Sequence, residues 1–150
     1  WDIKQDGYII IRIFMSNSVI EVYTVGGYVN DVPTWCFSVW ENGEKLIIAN
    51  GKVVNKEHAK SRNIAGEIYA ACHALKWCAK NGFLEISILH RCESMENVAT
   101  GYKEANSSIM IGLQKCLTEC NLRDISWNKM NTTDIRRDEI KRIAEGRNGL

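Results

Sequence analysis

Thiols, imidazoles and carboxylates set beside basic groups are the side chains of this sequence that could do chemistry, and most lack the spacing that chemistry needs. Six cysteines in 150 residues are too few for a disulfide scaffold, and none forms a Cys-x-x-Cys pair. Cys116 and Cys120, four apart, share a helical face, but no histidine stands near them in sequence to complete a zinc ligand set. They read as core thiols, and the chain as one kept in a reducing, cytoplasmic compartment. His58, His73 and His90 show no ligand spacing and read as surface or hydrogen-bonded core residues. Arg136, Arg137, Lys141 and Arg142 are interleaved with Asp134, Asp138 and Glu139, the pattern of a solvated helix face on which Asp138 and Arg142 pair across one turn. Trp35, Trp40, Trp77 and Trp127 fall at core-like positions, so a base-stacking platform is the lesser reading.

The elements that must position these groups follow from hydrophobic period. Ile9 to Phe14 and Val19 to Val25 are branched, strand-like runs separated by Asn17. Trp35 to Trp40 and Lys45 to Ala49 flank Glu41-Asn42-Gly43-Glu44, whose Asn-Gly pair predicts a hairpin. From Ser61 to Lys80 the period changes: Ile64, Ile68, Cys72, Leu75 and Ala79 recur every three or four residues, and Asn81-Gly82 supplies a stop. Leu84 to Leu89 alternates as a strand, and Met95 to Ala99 fits a short helix. A second long helix starts near Ser107 or Ser108 with Ile109, Leu113, Cys116, Leu117 and Cys120 on one stripe. Ile125 to Lys129 is a last strand, and a closing helix runs from about Asp134 with Ile140, Ile143 and Ala144 inward. The order β-β-β-α-β-α-α-β-α, with an extra N-terminal strand, describes an α/β protein with a mixed sheet and helices on both sides.

Composition bounds the partners. At 45% hydrophobic and 25% charged residues the chain has ordinary globular composition and the length of about one domain, residues 18–150, preceded by a strand-like extension over residues 1–17. A net charge of +1 supplies no global field for polyanions, so nucleic-acid binding must rest on a local patch. The apolar run Tyr8 to Met15 contains Arg12 and is far shorter than the ~20 residues that span a bilayer, so no membrane partner is expected. A start at Trp1 without methionine points to a piece of something longer.

Val22-Tyr23-Thr24-Val25-Gly26-Gly27-Tyr28 resembles the first strand of a type 1 ribonuclease H, where the family has an aspartate at the position of Val25. Arg62-Asn63-Ile64-Ala65-Gly66-Glu67-Ile68, continuing through Ala70, Ala71 and Ala74 to Asn81-Gly82, resembles the central helix of the bacterial ribonucleases H that often carry a viroplasmin-like domain. Ile86, Ile88, Glu93, Glu96, Thr100-Gly101 and Ala105-Asn106 follow that group's next strand and helix, and its second-strand aspartate falls on Arg91. Lys129-Met130-Asn131 and Ile140-Lys141-Arg142-Ile143-Ala144 stand where the group has its loop histidine and its last aspartate, which become Asn131 and Lys141. The resemblance runs from Val19 to Ala144 and is strongest at the central helix.

Such enzymes hold two divalent ions about 4 Å apart on four carboxylates, activating a water and stabilising the leaving oxygen of a phosphodiester. The resemblance implies that only Glu67 survives of the four: Val25 offers no ligand, and Arg91 and Lys141 place positive charge where the cations belong. The formal charge of these positions moves from −4 to about +1, so no metal cofactor is expected and Mg2+ binding is expected to be lost. An engineered knock-out changes one or two carboxylates to Asn or Ala; a valine, two cations and a missing histidine look like natural degeneration. Arg91 and Lys141 are expected to pair directly with Glu67 in place of the ions. Asn63, four residues before Glu67, matches the family's hybrid-contacting asparagine or is simply a helix-start residue. The expectation is a non-catalytic ribonuclease H-like domain that binds an RNA/DNA hybrid or RNA through Asn63, Arg91 and Lys141. The alternatives are a structural module packing on an adjacent domain or protein partner, and an active hybrid endonuclease whose metal site has moved to Glu67, Glu93 and Asp138.

Overall fold

The computed structural model describes residues 19–122 and 124–147. The strand-like run Ile9 to Phe14 and the extension it belongs to lie outside them. Five strands, β1 (Ile20–Val29), β2 (Val32–Glu41), β3 (Glu44–Lys52), β4 (Glu85–His90) and β5 (Asp124–Lys129), form one sheet in the order β3-β2-β1-β4-β5. β1, β2 and β3 are an antiparallel meander, while β4 and β5 run parallel to β1. Among the described residues five helices join them: α1 (Lys56–Ala59), α2 (Arg62–Lys80), α3 (Glu93–Ala99), α4 (Ser108–Cys120) and α5 (Ile135–Ala144). The mixed sheet and element order match expectation, with the single-turn α1 as an addition.

Strand alternation sorts the core onto two faces. Ile20, Val22, Trp35, Phe37 and Val39 point to a cluster completed by Ile68, Leu75, Ile88 and Leu113, under α2 and α4. Tyr23, Val25 and Cys36 point the other way, to a smaller cluster with Met130, Ile140 and Ala144 under α5. Two turns are set by left-handed residues: Asn42 and Gly43, φ 51° and 79°, make the expected hairpin. Asn30 and Asp31, φ 51° and 62°, close β1 onto β2.

β1 runs four residues past the expected end at Val25 because Gly26 and Gly27 lie inside it rather than stopping it. A Cβ on Gly26 would sit 2.2 Å from Asn63 O and 2.7 Å from Glu67 N, and one on Gly66 would sit 2.1 Å from Thr34 O. The two glycines therefore let α2 lie backbone against backbone on β1 and β2. That approach drives Glu67 into the sheet.

Helix starts also follow the sequence. Ser107 caps α4 by accepting from Met110 N, and Asp134 caps α5 by accepting from Arg136 N at 2.8 Å. The stop of α2 uses Gly82 at φ 78°, with Phe83 N bonded to Cys78 O at 3.0 Å.

Candidate functional site

β4 pairs with β1 only as far as Tyr23 opposite Leu89, so beyond that point the two strands part. The parting opens a cleft of about 390 Å³ between β1, the start of α2, the exit of β4 and α5. Val25, Asn63, Glu67, Arg91 and Lys141 all line it, together with Glu93 and Arg137. Of the five positions matched to the family's catalytic residues, Asn131 is the one left outside: its Oδ1 closes a local turn by accepting from Thr133 N at 3.0 Å and Thr133 Oγ1 at 2.9 Å.

Glu67 forms the floor and is 8% exposed. Its Oε1 accepts the Arg91 backbone N–H at 3.2 Å, while Oε2 has no hydrogen-bond partner among the described residues. Burial pushes its carboxyl up to about 7; the neighbouring Thr24 hydroxyl, the Arg91 N–H and the charges of Lys141 and Arg137 pull it back without cancelling the burial.

The expected ion pairs of Arg91 and Lys141 with Glu67 are not formed. Arg91 offers its backbone N–H to Glu67, and its guanidinium turns instead to Met130 O at the exit of β5, 2.7 Å away. Lys141 donates to Gly26 O at 2.8 Å, on the stretch of β1 that β4 no longer pairs. Both cations satisfy backbone carbonyls first; Lys141 biases Glu67 through space, while Arg91 reaches it only by its backbone N–H. Each keeps donors to spare: a guanidinium has five N–H groups and an ammonium three.

Arg137 was missed by the sequence reading, which took Lys141 for the site and left Arg137 on a solvated face. The helix phase divides that run. Arg137 and Lys141, one turn apart, border the cleft, and Arg137 Nε is buried with no partner among the described residues. Arg136 stacks over Trp40 and reaches Glu21, and only Arg142 pairs outward, with Asp138 at 3.4 Å. The position of Arg137 relative to the buried stripe Ile140 and Ala144 was the available signal.

His90 holds the β4 exit in place. It is 2% exposed, its Nδ1 accepts from Cys92 N at 2.9 Å, and so its Nε2 carries the proton given to Glu96 Oε1 at 2.8 Å. The remaining histidines also have partners: His58 bridges Tyr69 and Ser108, and His73 stacks on Trp35. All six cysteines are free, Cys116 and Cys120 lying 4.0 Å apart beneath α4.

Two divalent ions do not fit this donor set, which offers Glu67 and Glu93 as carboxylates against Arg91, Arg137 and Lys141. Among the described residues no three His, Cys, Asp or Glu side chains stand together as a metal site. Asp138, the third acid of a relocated site, faces away and pairs with Arg142.

Solved structures share this architecture at low sequence identity. The RNase H1 of Halobacterium salinarum matches at 18% identity and a TM-score of 0.67, over 83% of this chain and 96% of its own. The N-terminal RNase H domain of a Mycobacterium tuberculosis protein, in a fusion with maltose binding protein, matches at 13% identity and a TM-score of 0.71, over 87% and 95%. The fold is that of the type 1 ribonucleases H. LC11-RNase H1 in complex with an RNA/DNA hybrid shares the ribonuclease H fold at 14% identity and a TM-score of 0.68, over 85% and 96%. By sequence, no protein-family model and no curated protein matches the chain. No helix among the described residues is long and apolar enough to cross a membrane.

Proposed function

We propose that this ribonuclease H fold has given up cutting and kept hold of nucleic acid: it is a non-catalytic domain that binds an RNA/DNA hybrid or RNA. The observation that carries this reading is the convergence of Arg91, Arg137 and Lys141 on a cleft whose floor is the buried acid Glu67. A backbone phosphate brings acceptors that Arg137 Nε lacks and that the spare protons of Arg91 and Lys141 can use. Asn63 on the rim stands where it can reach a sugar. The hybrid held by LC11-RNase H1 supports the choice of ligand class. Mg2+ has no part in this binding, and the six free cysteines suit a reducing, cytoplasmic setting.

The phosphate term makes affinity fall as salt rises, because each neutralised phosphate releases counterions. Hybrid affinity measured by fluorescence anisotropy between about 50 and 200 mM salt is expected to fall steeply for the wild type. Arg137→Glu or Lys141→Glu each weakens binding and flattens the slope by about 1. Unchanged affinity in both variants sinks the reading.

Val54, Tyr102 and Ile135 are 83%, 78% and 84% exposed, and such apolar side chains favour a second reading, a module that docks on a protein partner or adjacent domain. A wild-type protein that binds no hybrid at about 50 mM salt decides for that second reading.

A further inference from the structure

We infer that Arg136 is a positioning residue whose clasp on β1 and β2 fixes the roll of α5 and keeps Arg137 and Lys141 turned into the cleft. The inference rests on the nucleic-acid reading and adds a residue that touches no phosphate.

α5 is a polar helix: Ile140 and Ala144 are buried, Ile143 packs partly buried against the same cluster, and Thr34 Oγ1 donates to Ala144 O, so few apolar side chains set its roll. On a wheel of about 100° per residue, with Arg136 at zero, Ile140 and Ala144 fall near 40° and 80°. Arg137 and Lys141 fall near 100° and 140°, and Glu139 near −60°. The stripe thus has the cleft cations on one flank and a clamp on the other. A stripe of three apolar side chains leaves the exact roll to the polar contacts beside it, and a side-chain tip about 6 Å from the axis travels about 3 Å in a roll of about 30°. That displacement breaks the 2.8 Å bond from Lys141 to Gly26 O.

The clamp consists of direct contacts. The Arg136 guanidinium lies 4.1 Å from the Trp40 ring centre and 5.4 Å from that of Tyr23, and its Nη1 donates to Glu21 at 3.1 Å. One turn on, Glu139 accepts Lys45 Nζ at 2.9 and 3.1 Å, and Lys45 lies 5.8 Å from the same Trp40 ring. Trp40 is therefore the anvil for both arms. It carries no charge and lies outside the cleft lining.

Trp40→Leu tests the inference, because it removes the stack without altering any charge. Hybrid affinity against salt is read together with backbone amide NMR shifts at Gly26, Gly27 and Lys141. The expected result is an affinity about tenfold weaker, a slope flatter by about 1, and displaced Gly26 and Lys141 amides. In a protein already carrying Arg137→Ala and Lys141→Ala, Trp40→Leu then adds no further loss.

A Trp40→Leu protein with a lower melting temperature but unmoved slope and amides overturns the inference, leaving Arg136 as ordinary packing. Arg136→Ala flattening the slope while Trp40→Leu does not also overturns it, making Arg136 a direct phosphate contact. Failure of the underlying reading looks different: the wild type then binds no hybrid, and the amide shifts alone judge the clamp.

Discussion

The Glu67 carboxyl concentrates the residue-scale physics, because it is a buried acid without its own counterion in contact. Its folded pKa of about 7 lies above the value of an exposed glutamate. A raised carboxylate pKa means that the folded state holds the proton when the unfolded chain has released it, so stability falls as pH rises from about 4.5 to about 7 and is level above that. Glu67→Gln is expected to flatten this part of the stability curve, with a gain of up to about 3 kcal/mol at pH 8 relative to wild type. Urea melts across that window check it, and an unchanged slope contradicts it. At this scale the sequence was informative where residue identity mattered: Val25, Asn63, Glu67, Arg91 and Lys141 do meet in one cleft. It was silent on rotamers. Nothing in the sequence said that Arg91 prefers Met130 O and Lys141 prefers Gly26 O, since both choices depend on where β4 stops pairing with β1.

Elements carry that site only because backbones touch. Gly66 packs under Thr34 O and Gly26 Cα, at separations a methyl group cannot share. Gly66→Ala is therefore expected to destabilise the protein by about 3 kcal/mol or more, measured by thermal unfolding, whereas Gly112→Ala, whose added methyl would have only the His58 ring tip at 4.0 Å, is expected to be neutral or stabilising. Equal losses in the two variants contradict the close-approach explanation. Helix and strand identities were legible from period, with helix starts expected near Ser107 or Ser108 and from about Asp134; that Ser107 and Asp134 are the capping residues is seen in the structure. How far β1 runs past Val25 was not legible from period, because glycine marks a strand end or a close approach alike, and only the partner helix distinguishes them. The one-turn α1 was invisible, since four residues display no period.

For the whole molecule, element order was legible, but the sheet order β3-β2-β1-β4-β5 is a matter of crossovers that periodicity does not encode. The net charge of +1 proved a poor guide to the cleft, where three cations gather against two acids. Their arrangement gives the proposal its form: in it, the protein's own cations stand in for divalent ions. Thermal unfolding with chelator and with rising Mg2+ tests it most directly, because any ligand that binds only the folded state at 100 times its Kd adds about 2.7 kcal/mol of stability. The melting temperature is expected to stay the same from EDTA to millimolar Mg2+. A saturating rise of several degrees with Mg2+, abolished by Glu67→Gln, would contradict the claim.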